Sequence, residues 1–411
     1  MKIAFVIPWY GKDIPGGAES ACRSTAVRLK AAGLDVEVLT TCVKDSYGDW
    51  GVDFHKEGIE LIDGVTVRRF PARKRDTKRF DAVNKKLIAA DLSQLRLRRA
   101  EDPGASPLFG NEEGIYIEEM VNSPALYDFI ERKRDAFDFF IFIPYMFGTT
   151  YFGARSAGRK AVLMPCLHDE SYAYLRLYRG MFRGAGGIFY NAKAEERLAA
   201  RLYGEGLRGV TTGVGMETEA GCGTEGFTSK YGVSKPYILY AGRKDPGKNT
   251  PLLIDYFRRY RDKNPDSPLN LVLIGSGSAS IPSGYGGYMK DLGFMNREDK
   301  FGAYAGAVAL CQPSVNESFS IVVMESWVAG TPVLVHGGCE VTREFCDGSG
   351  GGLYFTNFAE FAESVDFFLN NEDDRRAMGR GGQRFVKSNF NWDTVTARII
   401  GALKEWNGIE D

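Results

Sequence analysis

Residues 2–41, KIAFVIPWYGKDIPGGAESACRSTAVRLKAAGLDVEVLTT, decide the fold class. The run KIAFVIP (2–8) is short, apolar and rich in branched side chains, and it ends at Pro8, Tyr10 and Gly11. That is the pattern of a strand buried on both faces of a parallel sheet. From 17 to 33, Ala18, Cys22, Ala26 and Leu29 recur at helical spacing until Gly33 stops them, which predicts a helix. VEVLTT (36–41) is a second strand. Strand, Gly-rich loop, helix and strand open a doubly wound α/β domain.

The same alternation continues outward. Strands are predicted at 65–70, 138–144, 161–166, 187–190 and 209–213. A second series starts near 236 with PYILYAG, a helix over 249–262 and LNLVLIGSG (269–277). It goes on with a strand at 307–313, a helix from about 319 to 329, TPVLVHG (331–337), and helices over 358–370 and 372–388. A chain of 411 residues has room for two large domains. The boundary is predicted in the Gly/Thr-rich stretch 213–236, which gives domains 1–215 and 216–390 and a last helix in 391–411. Residues 71–125 fit neither series. They form an insertion whose start, 68–99, carries twelve Lys or Arg residues and three Asp. It reads as a solvated helical face or as a patch for an anionic acceptor or membrane surface.

Composition narrows the function. Lys and Arg number 52 against 53 Asp and Glu, a net charge of −1, so no global field favours nucleic acid. Glycine is abundant at 49 residues, about 12% against a norm of about 7%. These glycines follow apolar runs, as tight strand-to-helix turns require. Seven scattered cysteines without a C-x-x-C pair argue against a disulfide framework or a zinc site, and for reduced thiols in the cytoplasm. No apolar run is long enough to span a membrane, and the first residues read as a buried strand rather than a signal peptide.

Four constellations carry chemistry. In CQPSVNESFSIVVMESWVAGTP (311–332), a strand ends near Pro313, Glu317 lies in the loop, Ser318 to Ile321 form the helix start, and Glu325 follows on the helix. Eight residues of helix span about 12 Å, the length of a diphosphate between a sugar and a ribose. The first-turn N–H groups and the helix dipole suit phosphate, and a carboxylate at either end accepts from hydroxyls. In YILYAGRKDPGKNT (237–250), an Asp-Pro-Gly turn separates Arg243 from Lys248 and can turn both cations toward one anion. Gly16-Gly17-Ala18-Glu19 lets backbone approach a phosphate. CLHDE (166–170) ends an apolar strand and puts His168 at the ligand-binding edge of a sheet. Each of these read alone has an ordinary structural explanation. No D-x-D at a strand end, phosphate loop or H-E-x-x-H motif occurs. GSGSAS (275–280) only half matches a dinucleotide fingerprint.

In this order the motifs resemble the retaining nucleotide-sugar glycosyltransferases of the GT-B fold, glycosyltransferase family 4 (group 1). The resemblance runs from Gly-Gly-x-Glu through G-R-x-D-P-x-K (242–248) and Glu317-x7-Glu325 with its A-G-T-P tail to F-x-W-D (390–393). It implies two Rossmann-like domains facing a cleft, donor on the second and acceptor on the first, with the C-terminal helix crossing back to the first. Carried over by position, Arg243 and Lys248 bind the diphosphate, Glu317 the transferred sugar and Glu325 the ribose. The backbone of Phe319, Ser320 and Ile321 holds phosphate, and Gly16 and Gly17 close over it. His168 lies near the transferred sugar. Gly275, Gly277 and the stretch Gly293-Phe294-Met295 line the nucleoside pocket. Ser320 departs from the pattern, where Gly is commoner.

The expected activity is retaining, metal-independent sugar transfer from a nucleoside diphosphate sugar to a glycan or lipid-linked acceptor in bacterial surface polysaccharide or glycoconjugate synthesis. No cofactor is expected. A UDP-sugar is the first choice of donor and GDP-mannose the second. The expected location is the cytoplasm or, peripherally, the inner face of the membrane. The alternatives are a GT-B nucleotide-sugar epimerase, a non-catalytic nucleotide-sugar-binding protein and, on GSGSAS alone, a nicotinamide-dependent oxidoreductase.

Overall fold

The computed structural model describes residues 1–14, 16–219 and 226–408. Cys222 and the middle of the Gly/Thr-rich stretch lie outside the described residues. The chain divides into two compact units, Met1–Gly215 with the segment from Asp393 onward, and Met216–Trp392.

The first unit is built on an eight-stranded sheet. Its strands are β1 (Lys2–Val6), β2 (Asp35–Thr41), β3 (Gly58–Ile62), β4 (Val65–Phe70), β5 (Phe139–Phe142), β6 (Ala161–Leu163), β7 (Gly187–Tyr190) and β8 (Gly209–Thr211). They lie in the order β3-β4-β2-β1-β5-β6-β7-β8. Every pairing is parallel except that of β3 with β4. The apolar runs that predicted β1, β5 and β7 are almost wholly buried, because helices cover both faces of a parallel sheet. The helix Gly17–Ala31 carries Glu19 in its first turn and Arg28 and Lys30 in its last, matching its dipole.

The insertion is not a solvated appendage. Its helices Thr77–Ile88, Leu92–Glu101 and Glu112–Glu118 bury Phe80, Val83, Leu87, Leu95, Tyr116 and Ile117 in the main core of the first unit. The apolar residues at 80, 83 and 87 keep helical spacing, but the charges between them mask it. Those charges go largely to internal partners. Arg68 meets Glu37, Arg69 meets Glu60, Arg73 and Arg79 meet Glu119, Lys86 meets Glu112, and Arg96 meets Asp169. Arg98 and Arg99 donate to backbone carbonyls between Pro103 and Ser106.

The second unit holds β9 (Tyr237–Ala241), β10 (Asn270–Ile274), β11 (Met289–Asp291), β12 (Ala309–Gln312), β13 (Val333–His336) and β14 (Gly352–Phe355). All pairings are parallel, in the order β11-β10-β9-β12-β13-β14. This is the 3-2-1-4-5-6 order of the dinucleotide-binding fold, with its switch point between β9 and β12.

The last helix, Trp392–Trp406, packs on the first unit. Trp406 stacks on Phe189 at 5.0 Å between ring centroids, in space that a Cβ on Gly187 would fill. Arg398 donates to the Thr212 carbonyl at 3.2 Å. Strands β3, β11 and β14 are absent from the sequence-based reading. All three lie at or next to a sheet edge, and β3 is mostly exposed.

Candidate functional site

Open α/β sheets bind ligands beyond the carboxyl ends of the strands that flank the switch point. In the second unit those ends are the loops after β9 and β12. The loop after β9 holds Arg243 and Lys248. Asp245 accepts from the Lys248 N–H at 3.0 Å and so caps the 3₁₀ turn Pro246–Lys248. It also faces the Arg243 guanidinium at 3.3 Å. The loop after β12 is tied to the first loop by Asn249, which donates to the Pro313 carbonyl at 3.0 Å. Across this junction Lys248 Nζ donates to Glu317 Oε1 at 2.7 Å. Two residues 69 positions apart thus form a single ion pair at the switch point.

The helix begins later than expected. It spans Ile321–Val328, with Ser320 as its N-cap at φ 68°, ψ 77°. Glu317 therefore stands outside it, and the span of about 12 Å drawn along eight helical residues does not describe the separation of Glu317 and Glu325. Phe319 turns its ring inward against Phe345 and Phe390 at 5.6 and 4.9 Å, so only its backbone can face a ligand. Glu325 is held by Lys300 Nζ at 2.5 Å and Tyr304 Oη at 2.9 Å, both from the helix Arg297–Gly306.

The left-handed backbone at Ser320 gives a physical reason for glycine at this position. Its hydroxyl is also buried without a hydrogen-bond partner. Ser320→Gly should therefore raise stability by about 1 kcal/mol, the low end for relieving such strain. A chemical-denaturation midpoint that falls would contradict this.

Lys244, passed over in the sequence, is the buried cation of the loop. Its side chain has 0% exposure, and Nζ donates to the Gly275 carbonyl at 2.6 Å and to Asp291 at 2.7 Å. Burial works against the Asp291 carboxylate. Hydrogen bonds from Lys244, Ala279 N–H and Gly293 N–H outweigh it and hold the carboxyl below its ordinary range. Gly275, at φ 115°, is needed because a Cβ there would run into the Gly242 carbonyl. Gly277, at φ 81°, lies against Lys244 in the same way. Both glycines serve the contact between the β9 and β10 loops. Phe294, beyond β11, is 80% exposed, and Met295 is buried. A surface hollow of about 570 Å³ lined by Pro236, Pro265 and Asp366 holds none of these residues.

In the first unit, Gly16 (φ 148°) is the N-cap of the helix that Gly17 begins. A Cβ on Gly16 would collide with the Glu19 carboxylate, which accepts from Trp9 Nε1 at 2.6 Å. His168 follows β6, with Nδ1 3.6 Å from Glu170 Oε1. The residue that fixes its loop is Glu195, also passed over in the sequence. It reads there as an ordinary acid in the first turn of the helix Lys193–Tyr203. Its two oxygens accept the N–H groups of Leu167 and Asn191 at 2.6 and 2.5 Å. Burial pushes its carboxyl up to about 7 against those two bonds. The folded protein thus keeps a proton that the unfolded chain releases near its ordinary value of 4.5. The resulting stability is full below that value and lost as pH rises through about 7. Glu195→Gln should flatten this dependence and, by leaving one N–H without an acceptor, cost about 1–3 kcal/mol. Urea unfolding at pH 5 and pH 8 (chosen to bracket the window) measures both effects.

With this geometry in view, the relatives are informative. The family described as glycosyl transferases group 1 matches residues 227–385. A D-inositol 3-phosphate glycosyltransferase of Corynebacterium aurimucosum is 26% identical over 185 residues, 42% of this chain and 44% of the relative. A phosphatidyl-myo-inositol mannosyltransferase of Mycobacterium leprae is 28% identical over 170 residues, 40% of this chain and 45% of the relative. These matches span less than half the length of the curated relatives. Among solved structures, sucrose-phosphate synthase from Thermosynechococcus elongatus superposes with a TM-score of 0.70 at 15% identity, covering 100% of both chains. HepE of Anabaena in complex with UDP-glucose does so at 0.67 and 15%, covering 98% of this chain and 100% of that one. Residues 227–385 thus match the group 1 glycosyltransferases, and the whole chain has the two-domain GT-B fold of these solved structures.

Proposed function

We propose that the protein is a retaining glycosyltransferase that moves a sugar from a nucleoside diphosphate sugar to a hydroxyl of a glycan or lipid-linked acceptor in surface polysaccharide or glycoconjugate synthesis. The observation that carries this reading is the Lys248–Glu317 pair at the switch point of the second sheet, with the exposed Arg243 on the same loop. In this reading Arg243 and Lys248 take the diphosphate, helped by the first-turn N–H groups after Ser320. Glu317 takes a hydroxyl of the transferred sugar. Glu325, oriented by Lys300 and Tyr304, takes the ribose.

The bond from the anomeric carbon to the diphosphate oxygen breaks, and a bond from that carbon to the acceptor oxygen forms on the same face. The acceptor proton passes to the departing diphosphate. The protein contributes orientation and charge neutralisation, and no side-chain nucleophile is required. Two cationic side chains supply the neutralisation, so the reaction is assigned as metal-independent. A UDP-sugar is the preferred donor, in keeping with the HepE structures in complex with UDP and UDP-glucose, and GDP-mannose is the second. The protein is assigned to the cytoplasm or, peripherally, to the inner face of the membrane. Among the described residues no helix is long and apolar enough to cross a membrane.

A thermal-shift series with UDP, GDP, UDP-glucose and GDP-mannose, each with and without EDTA, tests the reading. Saturating ligand should raise the midpoint by a few degrees, equally with the chelator. No shift from any nucleotide would remove the donor assignment. A shift abolished by EDTA would remove the metal-independent one.

A further inference from the structure

Most of the basic run 68–99 is committed to internal partners, as described above. Lys74, Lys78 and Lys85 are exposed, as solvated lysines usually are. Arg75 differs from both groups. It is half-buried, its Nε is buried without a hydrogen-bond partner, and among the described residues it makes no ion pair. Its guanidinium lies over the Trp50 ring at 4.8 Å and the Phe80 ring at 4.5 Å. The two rings meet at 71°, so the cation occupies the corner between them. Asp49, Asp81 and Glu119 act on it through space, while burial works against its charge.

The corner is built to hold this side chain. A Cβ on Gly51 would lie 2.8 Å from Arg75 Cγ and 3.0 Å from its backbone nitrogen, so only glycine lets the loop after β2 close on Arg75. Trp50 also touches Trp9 and Phe147 at 6.1 and 5.9 Å. Trp9 follows β1, Trp50 follows β2, Arg75 follows β4 and Phe147 follows β5. All four strands run parallel, so the cluster gathers beyond their carboxyl ends, and β1 and β5 flank the first sheet's switch point. A guanidinium fixed by aromatic faces keeps its fork of donors for a planar or tetrahedral anion. The half-exposed indole beside it offers an apolar wall to a sugar ring.

We propose that Arg75 and Trp50 form an anion subsite in the first unit, which takes the phosphate or carboxylate of a charged carbohydrate acceptor. The inference rests on the reading above in assigning the acceptor to this unit. It deepens that reading by making the acceptor anionic.

The test uses the full chain without nucleotide. Tryptophan fluorescence is titrated with glucose 6-phosphate, glucuronate, glucose and inorganic phosphate. A saturable change with glucose 6-phosphate or glucuronate and none with glucose is expected, and which of the two binds names the anion. Arg75→Met should weaken the charged sugar at least tenfold, the loss of a charge-assisted contact, and leave no preference over glucose. Arg75→Lys, which keeps the charge and loses the fork, should weaken it several-fold with unchanged circular dichroism. It decides the matter if the Met variant fails to fold. A purely structural Arg75 would shift melting in both variants without changing the ratio of charged to neutral sugar binding, and that result overturns the proposal. So does equal response to glucose and glucose 6-phosphate, or response to inorganic phosphate alone. UDP binding by thermal shift is measured in parallel. UDP bound with no charged-sugar preference sinks this inference and spares the donor reading, and the converse sinks the donor reading alone.

Discussion

Arg243→Ala, with folding intact, is expected to lose 10²-fold or more in glycosyl transfer, of the order seen when one donor to a developing anion is removed. Lys248 already shares its charge with Glu317 at 2.7 Å. Among the described residues Arg243 is paired only with Asp245 at 3.3 Å, and its side chain is 53% exposed, so its fork can turn onto phosphate oxygens. Its charge should therefore weigh most where the diphosphate departs, and the loss should fall mainly on kcat. Steady-state kinetics with UDP-glucose, or with whichever nucleotide sugar stabilises the protein, measure this. Near-normal transfer by the variant would leave Arg243 as an ordinary loop charge. Arg243→Lys should recover part of the rate, since a point charge remains but the bidentate geometry does not.

Lys244→Met should have the largest effect on stability, about 3 kcal/mol. That is the low end for breaking a buried ion pair, because Asp291 keeps some solvent contact. The folded protein holds the Asp291 carboxyl below its ordinary range, so the unfolded chain takes up the proton first. The pair's contribution is full above about pH 4 and disappears as pH falls through the lower, folded value. In the variant that carboxyl should rise, and acid unfolding should move to higher pH. Urea titrations at pH 7 and at a series of pH values below about 4 separate the two effects. A variant as stable as the parent at neutral pH would mean that the junction of the β9 and β10 loops does not depend on this cation.

The sequence carries the alternation of strands and helices well. KIAFV, FFIF and YILYA have no polar alternative to a buried parallel strand, and β1, β5 and β9 form there. It carries β3 and β14 poorly, because GIELI is exposed along most of its length and GLYF is fully buried only at Phe355, so both lack the two-sided burial that makes a strand conspicuous. The insertion is misread for a related reason: charge density hides a helical stripe of three apolar side chains. At the candidate site, the sequence singles out Arg243, Lys248, Glu317 and Glu325, and the structure pairs Lys248 with Glu317. What spacing does not reveal is pairing across distant segments. Lys244 with Asp291, Lys300 with Glu325, and Glu195 with the His168 loop each join residues at least 25 positions apart. The handedness of the chain at Ser320 is likewise a property of the folded backbone, which glycine would have announced and serine conceals.

The packing of Trp406 against Phe189 gives the molecule a particular order of manufacture. A ribosome must finish all of Met216–Trp392 before the earlier half receives the indole that covers its β7. Until then the nascent N-terminal half carries an uncovered aromatic patch, and a messenger truncated after codon 391 would injure the part of the protein translated first.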